Sequence, residues 1–106
     1  MSEKHMWLVY DLSFGGDYDA LFTFLDQNRA AECGEGVAYF AYSYQEDLIK
    51  ELQKDLESAF RPGKDRAYVM YNNNGKMRGK WIFGNRKKAP WSGYALADAD
   101  TADDEA

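Results

Sequence analysis

RAYVMYNNNGKMRGKWIF, residues 66–83, decides the architecture. Two runs rich in β-favouring residues, 66–71 and 76–83, flank Asn72-Asn73-Asn74-Gly75. Asn-Gly is the strongest short hairpin signal because both residues tolerate positive φ. In the outgoing run Met77, Trp81 and Phe83 share one face with Gly79, while Arg78, Lys80 and Ile82 share the other, since successive strand side chains point to opposite sides. The expectation is one buried face and one basic face.

Upstream of this hairpin, residues 45–60 place Leu48, Ile49, Leu52, Leu56, Ala59 and Phe60 on one stripe of an amphipathic helix, which Arg61-Pro62-Gly63 stops. Residues 29–33 and 37–44 around Gly34-Glu35-Gly36 read as an earlier hairpin. Residues 18–28 carry Ala20, Leu21, Phe24 and Leu25 at helical spacing, with Asp17 or Asp19 placed to cap the first turn. Residues 6–12 (MWLVYDL) form a short run apolar on both faces, hence a central strand.

The order is therefore β-α-β-β-α-β plus one strand. That is an α+β chain with the order of a ferredoxin-like sandwich, two helices on one face of an antiparallel sheet. The additional C-terminal strand leaves an edge of unpaired backbone groups. A second copy would cover it, so a homodimer is expected.

With 106 residues, 45% of them hydrophobic, the chain can build one core and not two. A single domain over residues 1–94 is followed by an acidic tail, 95–106; from residue 97 onward the tail has only acidic and small side chains besides Thr101 and is expected to be disordered. Cys33 is the single cysteine and His5 the single histidine, which argues against an internal disulfide, a zinc site or a Cys–His catalytic pair. Cys33 reads as a small buried apolar residue. No apolar run approaches the roughly 20 residues that span a bilayer, and residues 1–5 are too short and polar for a signal peptide. The expectation is no membrane association and a cytoplasmic location.

Charge is segregated along the chain. Residues 1–65 carry 13 acids and 6 bases, residues 66–97 carry 7 bases and no acid, and residues 98–106 carry 5 acids. A local positive field on an acidic protein attracts anionic partners at short range; the same bases can also pair with the protein's own acids. Arg78 and Lys80, with Arg86, Lys87 and Lys88 just beyond, form a strip suited to nucleic-acid phosphates. Tyr71, Trp91 and Tyr94 are candidates for stacking on unpaired bases.

The opening strand ending in Val9-Tyr10-Asp11-Leu12, the GGDYDAL stretch at 15–21 that starts the first helix, and the closing Gly79-Lys80-Trp81-Ile82-Phe83-Gly84 strand resemble the CRISPR-associated protein 2 superfamily and its SinR-like relatives. The resemblance covers roughly residues 6–84. It implies a ferredoxin-like homodimer whose last strand crosses to the partner. It also implies, for some members, Mg²⁺-dependent cleavage of DNA or RNA through an aspartate at the end of the first strand, which here is Asp11. A symmetry-related carboxylate pair would suit Mg²⁺, which takes hard oxygen ligands and keeps waters of its own.

Two roles stand open for Asp11: catalytic metal ligand, or a strand-end residue that caps a loop or pairs with a nearby base. Two functions stand open with them. One is a dimeric nucleic-acid-associated protein, with or without nuclease activity. The other is a non-catalytic dimeric module whose basic hairpin contacts an acidic protein partner.

Overall fold

The computed structural model describes residues 1–95; the acidic segment beyond lies outside the described residues. The elements are β1 (Ser2–Asp11), α1 (Tyr18–Gln27), β2 (Ala31–Glu32), β3 (Val37–Tyr44), α2 (Leu48–Leu56), β4 (Arg66–Asn73) and β5 (Lys76–Phe83). The chain is α+β: one antiparallel sheet of five strands in the order β2-β3-β1-β4-β5, with two helices. Among the described residues no helix is long and apolar enough to cross a membrane.

Local chemistry explains the elements. Asp17 caps α1 by accepting the N–H of Ala20 at 2.9 Å, and Asp47 caps α2 through Lys50 at 3.1 Å. Glu51 adds a second device, accepting the N–H groups of Gln45, Glu46 and Asp47, each at 2.9 Å. These bonds hold its carboxyl below the ordinary range. The capping residues make α2 start at Leu48, the first residue of the apolar stripe, rather than at 45, and the helix ends at Leu56 while Ala59 and Phe60 stay buried in the turns that follow.

The central strand, β1, pairs with β3 from Ser2 to Val9 and with β4 from Met6 to Asp11. The polar residues before Met6 thus join the sheet, because β3 offers eight partners in register. Met6 and Leu8 face the helices together with Phe40, Ala38, Val69 and Tyr71, their cross-strand neighbours. Leu21 and Phe24 of α1 and Leu52 and Leu56 of α2 close this core from above, and Phe24 meets Phe40 edge-on at 5.6 Å. Each fully buried Leu contributes about 2 kcal/mol.

Three expectations are corrected. The second apolar face of β1 is not covered: Trp7 is 39% exposed, because both helices sit on the other side. In β5 the buried side chain is Ile82, on the face of Arg78 and Lys80, while Met77 is exposed. A bulge opposite Ala67 and Tyr68 turns Phe83 toward the helices as well, where it stacks on Phe60 at 4.9 Å. Cys33 is exposed rather than buried, because β2 is only two residues long and Cys33 stands in the turn beyond it, at the rim of the sheet.

Candidate nucleic-acid interface

The β4–β5 turn sets the register of the basic strand. Asn74 (φ 55) and Gly75 (φ 82) both adopt the left-handed region, and the Asn72 side chain accepts the N–H of Gly75 at 2.9 Å, giving the two-residue hairpin read from the sequence. The register places Arg78 opposite Tyr71 and Lys80 opposite Val69. As the outermost strand, β5 leaves Arg78 and Lys80 exposed. Charged side chains on an edge strand also discourage edge-to-edge aggregation. Beyond Gly84, Arg86, Lys87 and Lys88 are exposed too. Among the described residues none of these five bases makes an ion pair.

Arg66 is the base with fixed company. Its Nη2 donates to Asp11 Oδ2 at 3.0 Å, its Nη1 to the Asn85 carbonyl at 3.5 Å, and its guanidinium carbon lies 5.6 Å from the Trp81 ring centre. Asp11 and Arg66 are direct cross-strand partners. The Asp11 side chain is 59% exposed, so the pair contributes under about 1 kcal/mol.

This geometry bears on the metal that the resemblance implies. One oxygen of Asp11 is engaged by a guanidinium, and among the described residues no three acidic, His or Cys side chains converge as a metal site. Mg²⁺ demands several oxygen ligands in near-octahedral array. The donors of one chain do not fit it.

Beneath Asp11 lies a buried clamp. The Asp65 side chain is fully enclosed. Its Oδ1 accepts the N–H and hydroxyl of Ser13, each at 2.8 Å, and its Oδ2 accepts the N–H of Arg61 at 2.8 Å and its Nε at 3.3 Å. Arg61 also reaches Ser13 Oγ and the Phe14 carbonyl. Burial alone pushes the Asp65 carboxyl up, but the four bonds outweigh it and hold it far below the usual range. The clamp ties the β1–α1 loop to the turn before β4, which fixes the end of the sheet where Arg66 and Asp11 meet.

The sheet face away from the helices carries aromatic pairs: Trp7 with Tyr39 at 4.8 Å and Tyr68 with Trp81 at 4.9 Å. The sequence reading passed over this face; the alternation of Trp7 with Leu8 and of Tyr68 with Val69 is the signal that carries it. Of the three residues expected to stack on bases, Tyr71 is 8% exposed and belongs to the core, opposite Met6, whereas Trp91 and Tyr94 are exposed. Asp11 and the strip of Arg78 and Lys80 are not brought together: β4 separates them. Comparison with protein-family models, with curated proteins and with solved structures yields no match.

Proposed function

We propose that the chain is a dimeric nucleic-acid-associated protein that holds a phosphate backbone along the outer side of β5 and the segment following it. The carrying observation is that Arg78 and Lys80 on β5 and Arg86, Lys87 and Lys88 in the segment after it are all exposed and unpaired among the described residues. Phosphate contacts of this kind give affinity without sequence preference. The order β4-β1-β3-β2, antiparallel throughout, supports a ferredoxin-like sandwich with β5 added outside β4, in keeping with the resemblance to CRISPR-associated protein 2 and SinR-like proteins. The unpaired edge of β5 supports the second copy. The reading is of binding; it requires no cleavage, and one oxygen of Asp11 is held by Arg66.

The test is fluorescence anisotropy with labelled single- and double-stranded DNA and RNA at low salt. Binding that is lost in an Arg78→Glu/Lys80→Glu variant supports the reading; absence of binding to every probe overturns it. If Mg²⁺-dependent cleavage appears and disappears in Asp11→Asn, catalysis has to be added.

A second reading, a protein-interaction module, draws on a different observation. The centre of the open sheet face is formed by the uncharged Trp7, Val9, Tyr39, Tyr68, Met70 and Trp81, with Arg66 at its Trp81 rim, which suits a protein surface better than a polyanion. Nuclease-resistant capture of a defined partner, abolished by Trp7→Glu, would favour it.

A further inference from the structure

We propose that the groove between the turn preceding β4 and the chain leaving β5 is a seat for a phosphate group. The groove encloses about 270 Å³ and is walled by Lys64, Arg66, Arg86 and Lys87 between the backbones of Gly63 and Gly84. It lies at the opposite end of β5 from Lys76 and Met77, past the last residue of the strand, and so is distinct from the strip carried by Arg78 and Lys80.

Three features make it an oxyanion site. The first is charge. Four cations wall the groove, and the one acid on its wall, Asp65, points inward with both oxygens taken up by Ser13 and Arg61. Its charge is answered by Arg61 and does not oppose an incoming anion. Asp11, the neighbouring acid, is paired with Arg66, which leaves Lys64, Arg86 and Lys87 as the uncompensated cations of the groove.

The second is backbone. Gly84 has φ +77, and a Cβ there would meet Arg66 Cγ at 2.8 Å and the Asp65 carbonyl at 3.1 Å. Only glycine lets the departing chain lie this close to the floor of the groove. Gly63, at φ +76, leaves its side open, with no atom within 4 Å of an added Cβ.

The third is an unmet donor. Arg66 Nε is buried and has no acceptor among the described residues, while both terminal nitrogens of the same guanidinium are held by Asp11 and Asn85. A buried donor without a partner is costly; Nε has no accessible surface of its own, so a small shift of the guanidinium toward an oxyanion in the groove would give it the acceptor it lacks. Fixed guanidinium and mobile ammonium groups together suit phosphate oxygens.

The shared chemistry is a phosphate oxyanion, whether a backbone diester, a terminal monoester or free phosphate. As a docking point for a nucleic acid the seat rests on the reading above; as a phosphate site it is testable without it. The full chain is titrated with inorganic phosphate at constant ionic strength while amide NMR shifts are followed. Saturable shifts confined to 63–66 and 84–87, weakened about tenfold or more in Lys64→Gln/Lys87→Gln and kept in Arg78→Gln/Lys80→Gln, support the seat. Shifts that never saturate, or that are the same in both variants, overturn it.

Oligonucleotides with a 5′-phosphate or a 5′-hydroxyl then identify the source by displacing inorganic phosphate. Preference for the phosphorylated end assigns a monoester, and equal displacement assigns a diester. Oligonucleotide binding that leaves these amides unmoved overturns the seat as a docking point for nucleic acid and spares the nucleic-acid reading. Phosphate binding with no oligonucleotide binding does the reverse.

Discussion

The ring of Tyr68 lies across Gly79 of the neighbouring strand, so close that a Cβ on Gly79 would stand 2.6 Å from the ring's Cζ. Tyr68 opposes Trp81 directly, and its ring packs edge-on against that indole at 4.9 Å. An aromatic ring laid over a strand glycine restores the contacts that the missing side chain forgoes. Gly79→Ala is expected to drive Tyr68 off the strand and cost about 1 kcal/mol in urea unfolding. The ring is at the surface and can yield, which keeps the cost small, while Trp81 fluorescence shifts as its neighbour leaves. Unchanged fluorescence would show that the ring does not rest there.

Gly84 and Gly63 form a matched pair for testing the groove. Both have positive φ, but only Gly84 has backbone within contact of an added Cβ. Gly63→Ala is expected to cost about 1 kcal/mol, the left-handed strain alone. Gly84→Ala should cost about 2 kcal/mol or more, because overpacking against Asp65 and Arg66 is added. Denaturant unfolding of the two variants measures the difference, and equal losses would refute the close approach at Gly84.

Asp65 makes the fold acid-sensitive. Its carboxyl is buried, yet hydrogen bonds from Arg61 and Ser13 depress its pKa below the unfolded value, which is about 3.9. A depressed folded pKa stabilises above the unfolded value, and that contribution is lost as the pH falls from about 4 through the folded pKa. Asp65→Asn is expected to cost about 2 kcal/mol at pH 7, since the amide cannot accept all four hydrogen bonds while the half-exposed Arg61 stays solvated. The gap between variant and parent should narrow at pH values below about 3; a gap independent of pH would count against the clamp.

Tyr42 donates to Asp55 Oδ2 at 2.5 Å from within the core. Burial first, then this bond, then the charges of Asp55 and Glu51 raise its pKa above the ordinary 10.0. A raised pKa stabilises below the unfolded value and is lost as pH climbs beyond it. Ultraviolet titration is expected to show the Tyr42 phenol ionising late. Tyr42→Phe should remove that late step and cost about 1 kcal/mol near neutrality.

The basic margin sets a slope. If Arg78 and Lys80 each meet a phosphate of duplex DNA, Arg78→Gln/Lys80→Gln should reduce the slope of log K against log salt by about 2. Affinity lowered at constant slope would place both residues away from the phosphates. Anisotropy titrations across a salt series decide it.

Much of this was legible residue by residue. Asn74-Gly75 specifies its turn because both residues accept positive φ, Asp17 caps a helix because its carboxylate reaches the N–H of Ala20, and Leu48, Leu52 and Leu56 recur at helical spacing and are buried. These outcomes depend on neighbours within a few bonds. The basic strip was legible as composition, but Arg66 was not separable from it, because its partner Asp11 lies 55 residues away.

Periodicity and capping act over one or two turns of chain, and from them the order of strands and helices and the turns that join them could be read, though not the ends of β1 and β2. Tertiary structure alone decided which apolar faces are covered. Two helices blanket one side of a five-stranded sheet, so the alternate residues Trp7, Tyr39 and Tyr68 are left on the open side while Tyr71 enters the core. It also decided that Cys33 stands at the rim and that Lys64 and Lys87, distant in the chain, wall one groove. Burial is a property of what lies opposite a side chain, and only long-range packing supplies that.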